Sequence, residues 1–185
     1  MKFTAAVLNK KKNIKILNLQ APPLKIGQVL VKIKYASICY TQVQEIEGSR
    51  GQDIFLPHCL GHEATAEVIE IDKKVTKVKQ GDKVCLTWVF SRGINAGGSI
   101  YLNNKKKVNA GPVNAFSNYA IVSENKLQKL KKNSDLKKSV LLGCAVPTAF
   151  NCILLNTKNA KNKKILVLGC GGIGLLTVYA AKLRG

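Results

Sequence analysis

Hydrophobic and polar positions change rhythm along this chain. In residues 29–35 the apolar positions interleave with Lys32 and Lys34, the two-residue period of a half-buried strand. Segments 65–71, 83–89 and 118–122 are similar β-type runs, and Gly81-Asp82 marks a turn between two of them. To about residue 125 the pattern predicts a mainly β, barrel-like domain. A short helix is expected over 42–47, and 91–112 reads as loop because of Gly93, Gly97, Gly98, Asn103 and Asn104. The rhythm then shifts. Ser134-Asp135 suits the N-cap of a helix reaching about residue 142, and Pro147 suits the start of a helix over 148–155. Residues 163–168 run from two lysines into continuous apolar sequence, the signature of a buried parallel strand. A helix is expected over 175–184.

Composition narrows the classes. The chain has 185 residues, 46% of them hydrophobic, enough for a substantial core. No apolar run reaches the length of a membrane span. The first residues show no apolar stretch followed by a small-residue cleavage site, so the expected compartment is the cytoplasm. The formal charge of +20 raises the question of a polyanionic partner. The excess is almost all scattered lysine, arginine occurs only at 50, 92 and 184, and no basic run is interleaved with aromatics. That distribution argues against nucleic-acid binding. Of the six cysteines, Cys85 sits in an apolar run and reads as core, and Cys59, Cys152 and Cys170 read as buried small hydrophobes.

The chemistry-bearing signals are local. Gly169-Cys170-Gly171-Gly172-Ile173-Gly174 follows the apolar run and opens a helix, the context in which a glycine-rich turn reads as dinucleotide-binding. Gly169 permits the tight turn, Gly171 lets backbone approach a pyrophosphate, and Gly174 lets helix and strand pack closely. Upstream lie Ile38-Cys39-Tyr40-Thr41, Leu56-Pro57-His58-Cys59-Leu60-Gly61-His62-Glu63, Gly81-Asp82-Lys83-Val84 and Leu141-Leu142-Gly143-Cys144. Together, in this order and spacing, these motifs resemble the zinc-dependent alcohol dehydrogenases of the medium-chain dehydrogenase/reductase superfamily.

That resemblance implies a GroES-like zinc-binding catalytic domain over 1–147. Over 148–185 it implies the first helix, strand, turn and helix of an α/β Rossmann domain, incomplete here. It implies Cys39, His62 and Cys144 as ligands of one catalytic zinc; two thiolates and one imidazole leave a tetrahedral position open for substrate. His58, in a loop-like Pro-His context, is passed over. Thr41 resembles the hydroxyl that takes the alcohol's proton, and Glu63 the carboxylate beside the metal. Tyr40, Thr148, Gly169, Gly171, Gly172, Ile173 and Gly174 match cofactor-contacting positions, for NAD or NADP. The implied reaction is hydride transfer between that cofactor and a small alcohol or aldehyde, with no membrane partner and a homo-oligomer at full length.

The chain departs from the family pattern in places. Gln42 stands where the family usually has Asp, Gln44 where many members have a relay His, and Tyr40 where His or Arg is usual. Ala66 and Asp72 replace common glycines. No cysteine occurs in 91–112, where the structural-zinc lobe would fall, so one zinc is expected. An acidic residue that holds ribose hydroxyls would come about 20 residues after the glycine turn. The sequence reaches Gly185 before that point, which predicts the N-terminal part of a longer enzyme. Two alternatives stay open: an inactive fragment, and a zinc-free quinone reductase-like member of the same superfamily.

Overall fold

The computed structural model describes residues 1–156 and 163–185. Ten strands come first: β1 (Lys2–Lys10), β2 (Asn13–Gln20), β3 (Gln28–Ala36), β4 (His58–Cys59), β5 (Ala64–Ile71), β6 (Lys83–Leu86), β7 (Ile100–Asn103), β8 (Lys106–Asn109), β9 (Tyr119–Ser123) and β10 (Leu127–Lys129). Helix α1 (Tyr40–Glu47) lies between β3 and β4. Helices α2 (Leu136–Ser139), α3 (Ala145–Asn156) and α4 (Gly172–Arg184) follow the strands, with a 3-10 turn at Val140–Gly143 between α2 and α3. Strands β1-β2-β7-β8-β4 close into a barrel, and β10-β6-β5-β3-β9 form a five-stranded sheet.

The alternation read in 29–35 becomes two cores. In β3, Val29 and Val31 join Val68, Val84, Leu86 and Val122 in one cluster, while Leu30 points into another with Phe3, Val7, Tyr101 and Ile121. Strand β9 divides in the same way: Ala120 and Val122 face the first cluster, and Ile121 the second. Successive side chains on a strand point to opposite faces, so a strand buried on both sides can seal two cores at once. Tyr101 anchors the barrel core. Its hydroxyl donates to Asn114 Oδ1 (3.0 Å) and accepts from the Ile121 N–H (2.9 Å), and its ring meets Phe3 edge-on at 4.9 Å.

Several expectations need correction. Residues 91–112 contain the β7–β8 hairpin, which helps close the barrel. Its turn, Asn104-Lys105, has positive φ at both positions (46° and 70°), the geometry of a tight hairpin, but without the glycine that would have advertised it. The β1–β2 hairpin was equally silent, because its turn is built from Lys11 and Lys12, with Lys12 at φ 59°. Residues 163–170 form no strand: Leu166 and Leu168 are 84% and 88% exposed, since no neighbouring strand among the described residues bonds to this segment. Cys152 and Cys170 are exposed rather than buried. His58 lies in β4, not in a loop, and is buried. Cys59 and Cys85 are buried as read, and burial pushes each thiol up to about 12.

One buried carboxylate pins the loops of the sheet. Glu124 Oε1 accepts the Thr76 and Lys77 N–H groups, and Oε2 accepts that of Ile94, each at 2.7 Å. Burial alone would raise this carboxyl, but the N–H donors of Ile94, Lys77 and Thr76, together with the Lys77 charge, hold it below its ordinary 4.5. A depressed carboxyl stabilises the fold above its unfolded value and stops doing so as pH falls through its folded value. Glu124→Ala is therefore expected to cost about 2–4 kcal/mol at pH 7 by removing the shared acceptor of three part-buried N–H groups. In urea titrations at a series of pH values, the gap between the two chains should narrow only as pH drops below about 4.5. A gap unchanged down to pH 3 would show that the carboxylate's charge is not what matters.

Candidate metal centre and its surroundings

Three separated segments converge at one point. Cys39 precedes α1, His62 sits between β4 and β5, and Cys144 joins the 3-10 turn to α3. One potential ligand atom from each of Cys39, His62 and Cys144 falls within 4.8 Å of the other two. A tetrahedral zinc with usual bond lengths spaces such donors about 3.6 Å apart, so small side-chain rotations suffice. The imidazole Nδ1 is hydrogen-bonded to the Gln42 amide nitrogen. Its Nε2 is buried and has no hydrogen-bond partner among the described residues. An orphaned ring nitrogen beside two thiols is what a metal site looks like in the absence of the ion's own atoms, and the donor set fits zinc.

Glu63, the residue after His62, ties the three segments together. It is 2% exposed. Its Oε1 accepts the backbone N–H of Cys144 (3.0 Å) and of Ala145 (3.1 Å), and its Oε2 accepts the Ser37 hydroxyl. Both oxygens are thus engaged in positioning. The glycines beside the ligands are sterically required. A Cβ on Gly61 would come within 2.7 Å of the Phe116 ring, at a φ of +89°, and one on Gly143 within 2.3 Å of the Leu86 carbonyl oxygen. The Thr87 hydroxyl donates to the Gly143 carbonyl (2.7 Å), fixing the turn that delivers Cys144.

Electrostatics favour neutral groups here. Burial lowers the His62 pKa, partly countered by Glu63, with Arg50 lowering it further, and this keeps the imidazole in the form that ligates. Burial raises the Cys144 thiol, and the Cys39 sulfur raises it again; side-chain hydrogen bonds from Trp88 and Thr148 pull the other way. The Thr41 hydroxyl donates to Cys39 Sγ at 3.0 Å. His58 is committed elsewhere, with Nδ1 on the Cys59 carbonyl (2.9 Å) and Nε2 on Asp53 (2.8 Å). Gln42, His62, Trp88, Arg50, Asp53 and His58 all border one cavity of about 680 Å³.

The remaining sequence-derived positions lie apart from this cluster or at its edge. Tyr40 is the exposed first residue of α1. Thr148 is one turn into α3, its N–H on the Cys144 carbonyl (3.0 Å) and its side chain on the Cys144 sulfur. Gly169 adopts φ +105°, Gly171 caps α4, and Gly172, Ile173 and Gly174 form its first turn. A Cβ on Gly174 would sit 2.0 Å from the Gly169 carbonyl oxygen, so close packing at that position is real. Helices α3 and α4 pack through an edge contact of Phe150 and Tyr179 at 6.5 Å. The sequence reading missed Ser37, Thr87 and Trp88. Only Trp88 carried a signal, as the single tryptophan of the chain.

Comparison with known proteins agrees with this architecture. The pattern of the Alcohol dehydrogenase GroES-like domain matches residues 25–132. S-(hydroxymethyl)glutathione dehydrogenases are similar in sequence: that of Photobacterium damsela subsp. piscicida is 27% identical over 91% of this chain and 52% of its own length. That of Synechocystis is 29% identical over 98% of this chain and 56% of its own. Among solved structures, benzyl alcohol dehydrogenase from Acinetobacter calcoaceticus superposes with a TM-score of 0.82 at 24% identity, over all of this chain and 56% of that one, a likeness of fold. The 2R,3R-butanediol dehydrogenase from Bacillus subtilis gives 0.73 at 28% identity, over 99% of this chain and 55% of its own. The chain belongs to the alcohol dehydrogenase GroES-like domain family. It spans about half the length of the curated relatives it matches.

If Glu63 holds the three segments together, Glu63→Ala should lower stability by about 3–5 kcal/mol, since it strands a buried N–H group, a part-buried one and a hydroxyl. Glu63→Gln retains an acceptor for the Cys144 and Ala145 N–H groups, and the Ser37 hydroxyl can turn to accept, so it should cost about 1 kcal/mol. Chemical denaturation of the two variants checks this; equal losses would refute the assignment.

Proposed function

We propose that this chain supplies the metal-binding half of a zinc-dependent alcohol dehydrogenase, with one zinc held by Cys39, His62 and Cys144. The observation that supports it most directly is the buried, unpartnered Nε2 of His62, in an imidazole clustered with the Cys39 and Cys144 sulfurs. A zinc-free reductase reading would leave that nitrogen desolvated for no return. When bound, zinc supplies Lewis-acid polarisation of an alcohol or aldehyde oxygen. Cys39 and Cys144 hold it as thiolates, and His62 as a neutral imidazole.

The chain's own groups then have distinct tasks. Thr41 is the hydroxyl positioned to take the substrate's proton; to do so it releases the Cys39 sulfur it now touches. Glu63 keeps the Cys144 backbone in place rather than ligating, because both its oxygens are occupied. Gln44 is an amide and cannot titrate, so a proton leaving Thr41 goes to water or to the cofactor's ribose.

The glycine turn and the α4 N-terminus, through Gly169, Gly171, Gly172, Ile173 and Gly174, are the proposed cradle for the pyrophosphate of NAD or NADP, with Tyr40 and Thr148 lining the cofactor's approach. We place the boundary between the catalytic and cofactor-binding units at residues 147 and 148. The full protein acts on a small alcohol or aldehyde in the cytoplasm as a homo-oligomer. No single helix among the described residues is long and apolar enough to cross a membrane.

The test uses a protein that joins this chain to a complete cofactor domain. Metal analysis should find about one zinc per chain, and primary alcohols, secondary alcohols or the glutathione adduct of formaldehyde should drive NAD(P) reduction. Cys144→Ser should lose at least about 100-fold in metal affinity or activity. Less than about half a zinc per chain, with unchanged activity in Cys144→Ser, would sink the reading.

A further inference from the structure

Gln42 is buried on the first turn of α1, wedged between two ligand-bearing segments. Its Oε1 accepts the backbone N–H of Cys39 (3.2 Å), the donor that the start of α1 leaves over, and its Nε2 faces His62 Nδ1. In this arrangement Nδ1 is the acceptor, so the neutral ring carries its proton on Nε2, the buried nitrogen left without a partner and so the one free to take a metal. A metal at Nε2 requires the other tautomer, with the proton on Nδ1 and an acceptor opposite it. The Cys39 N–H is always a donor. Gln42 would then stand between two donors with one oxygen and one NH₂. Turning the amide over merely moves the mismatch: whichever donor gains the oxygen, the other meets N–H.

We propose that Gln42 is a positioning residue that sets the metal affinity of this centre below what its three ligands could give. Loading the metal forces the Gln42 amide to abandon the Cys39 N–H in favour of His62 Nδ1. The inference rests on the ligand assignment above, and deepens it by naming the residue that tunes it. The geometry also identifies the remedy. Glutamate has the same shape and length as glutamine and presents oxygens at both amide positions, so Gln42→Glu accepts from Cys39 and from His62 Nδ1 at once.

Zinc affinity of the 185-residue chain is measured by chelator competition for the wild type, Gln42→Glu and Cys144→Ser, with hydrogen exchange read at the Cys39 amide in each loading state. Gln42→Glu is expected to bind about 10-fold tighter or more. In the wild type, zinc should accelerate exchange of the Cys39 amide, as it loses its acceptor; in Gln42→Glu that amide should stay protected. Equal affinities overturn the proposal. So does tighter binding with the same Cys39 exchange response in both chains, which would mean that added negative charge alone was at work. Should wild type and Cys144→Ser hold zinc equally, the ligand assignment itself falls, and this inference with it.

Discussion

Everything at the candidate centre depends on the carboxylate of Glu63. Its three acceptor contacts reach two residues before Cys39, through Ser37, and reach Cys144 itself; its own backbone adjoins His62. One buried group therefore fixes the separation of donors that lie more than a hundred positions apart in sequence. A carboxylate is suited to this because it is acceptor-only and can satisfy several N–H and O–H donors at once. The surrounding steric demands have the same origin. Gly143 cannot carry a side chain because the Leu86 carbonyl and Glu63 Cγ occupy the space, at 2.3 and 3.0 Å from where a Cβ would stand. The glycine is there so that the Cys144 N–H can reach the carboxylate.

Burial acts on the donors in opposite senses. It favours neutral imidazole at His62, the ligating form, and protonated thiol at Cys144, the non-ligating form. A low-dielectric pocket alone would thus hold a half-prepared site. The hydrogen bonds that Trp88 and Thr148 give to the Cys144 sulfur work against the thiol form there by stabilising negative sulfur. In the proposed site a divalent cation would complete the shift, and its binding would release thiol protons. The protein's own groups supply geometry and partial charge compensation.

Legibility in the sequence followed the range of the determining interaction. Cys39, His62 and Cys144 stood out because each is embedded in a local pattern, and the glycines at 61 and 143 proved to be there for reasons of space. Helix starts were legible where a side chain caps them: Asp135 accepts from the N–H groups of Lys137 and Lys138, as its position before α2 suggested. The hairpins β1–β2 and β7–β8 were not legible, since their turns use lysine and asparagine at positive φ, and pairing across the barrel enforces what local preference does not. Ser37 and Thr87 were invisible for a related reason. A hydroxyl says nothing about which distant carbonyl or carboxylate it will meet.

The segment 163–168 shows the same limit from the other side. Its composition is that of a strand covered on both faces, yet Leu166 and Leu168 stand exposed, as do Leu175, Val178, Tyr179 and Leu183 of α4. Hydrophobicity along a chain records a demand for burial; it does not provide the partner that meets the demand. A strand exists as a hydrogen-bonded element only beside another strand, whereas the turn and helix that follow it are built from contacts within a few residues. This is why the glycine turn and α4 take shape here, down to the close approach of Gly174 to the Gly169 carbonyl, while the run leading into them does not form a strand. The geometry of the glycine turn is thus a local property, whereas burial of those leucines needs a partner surface that contacts within a few residues do not supply.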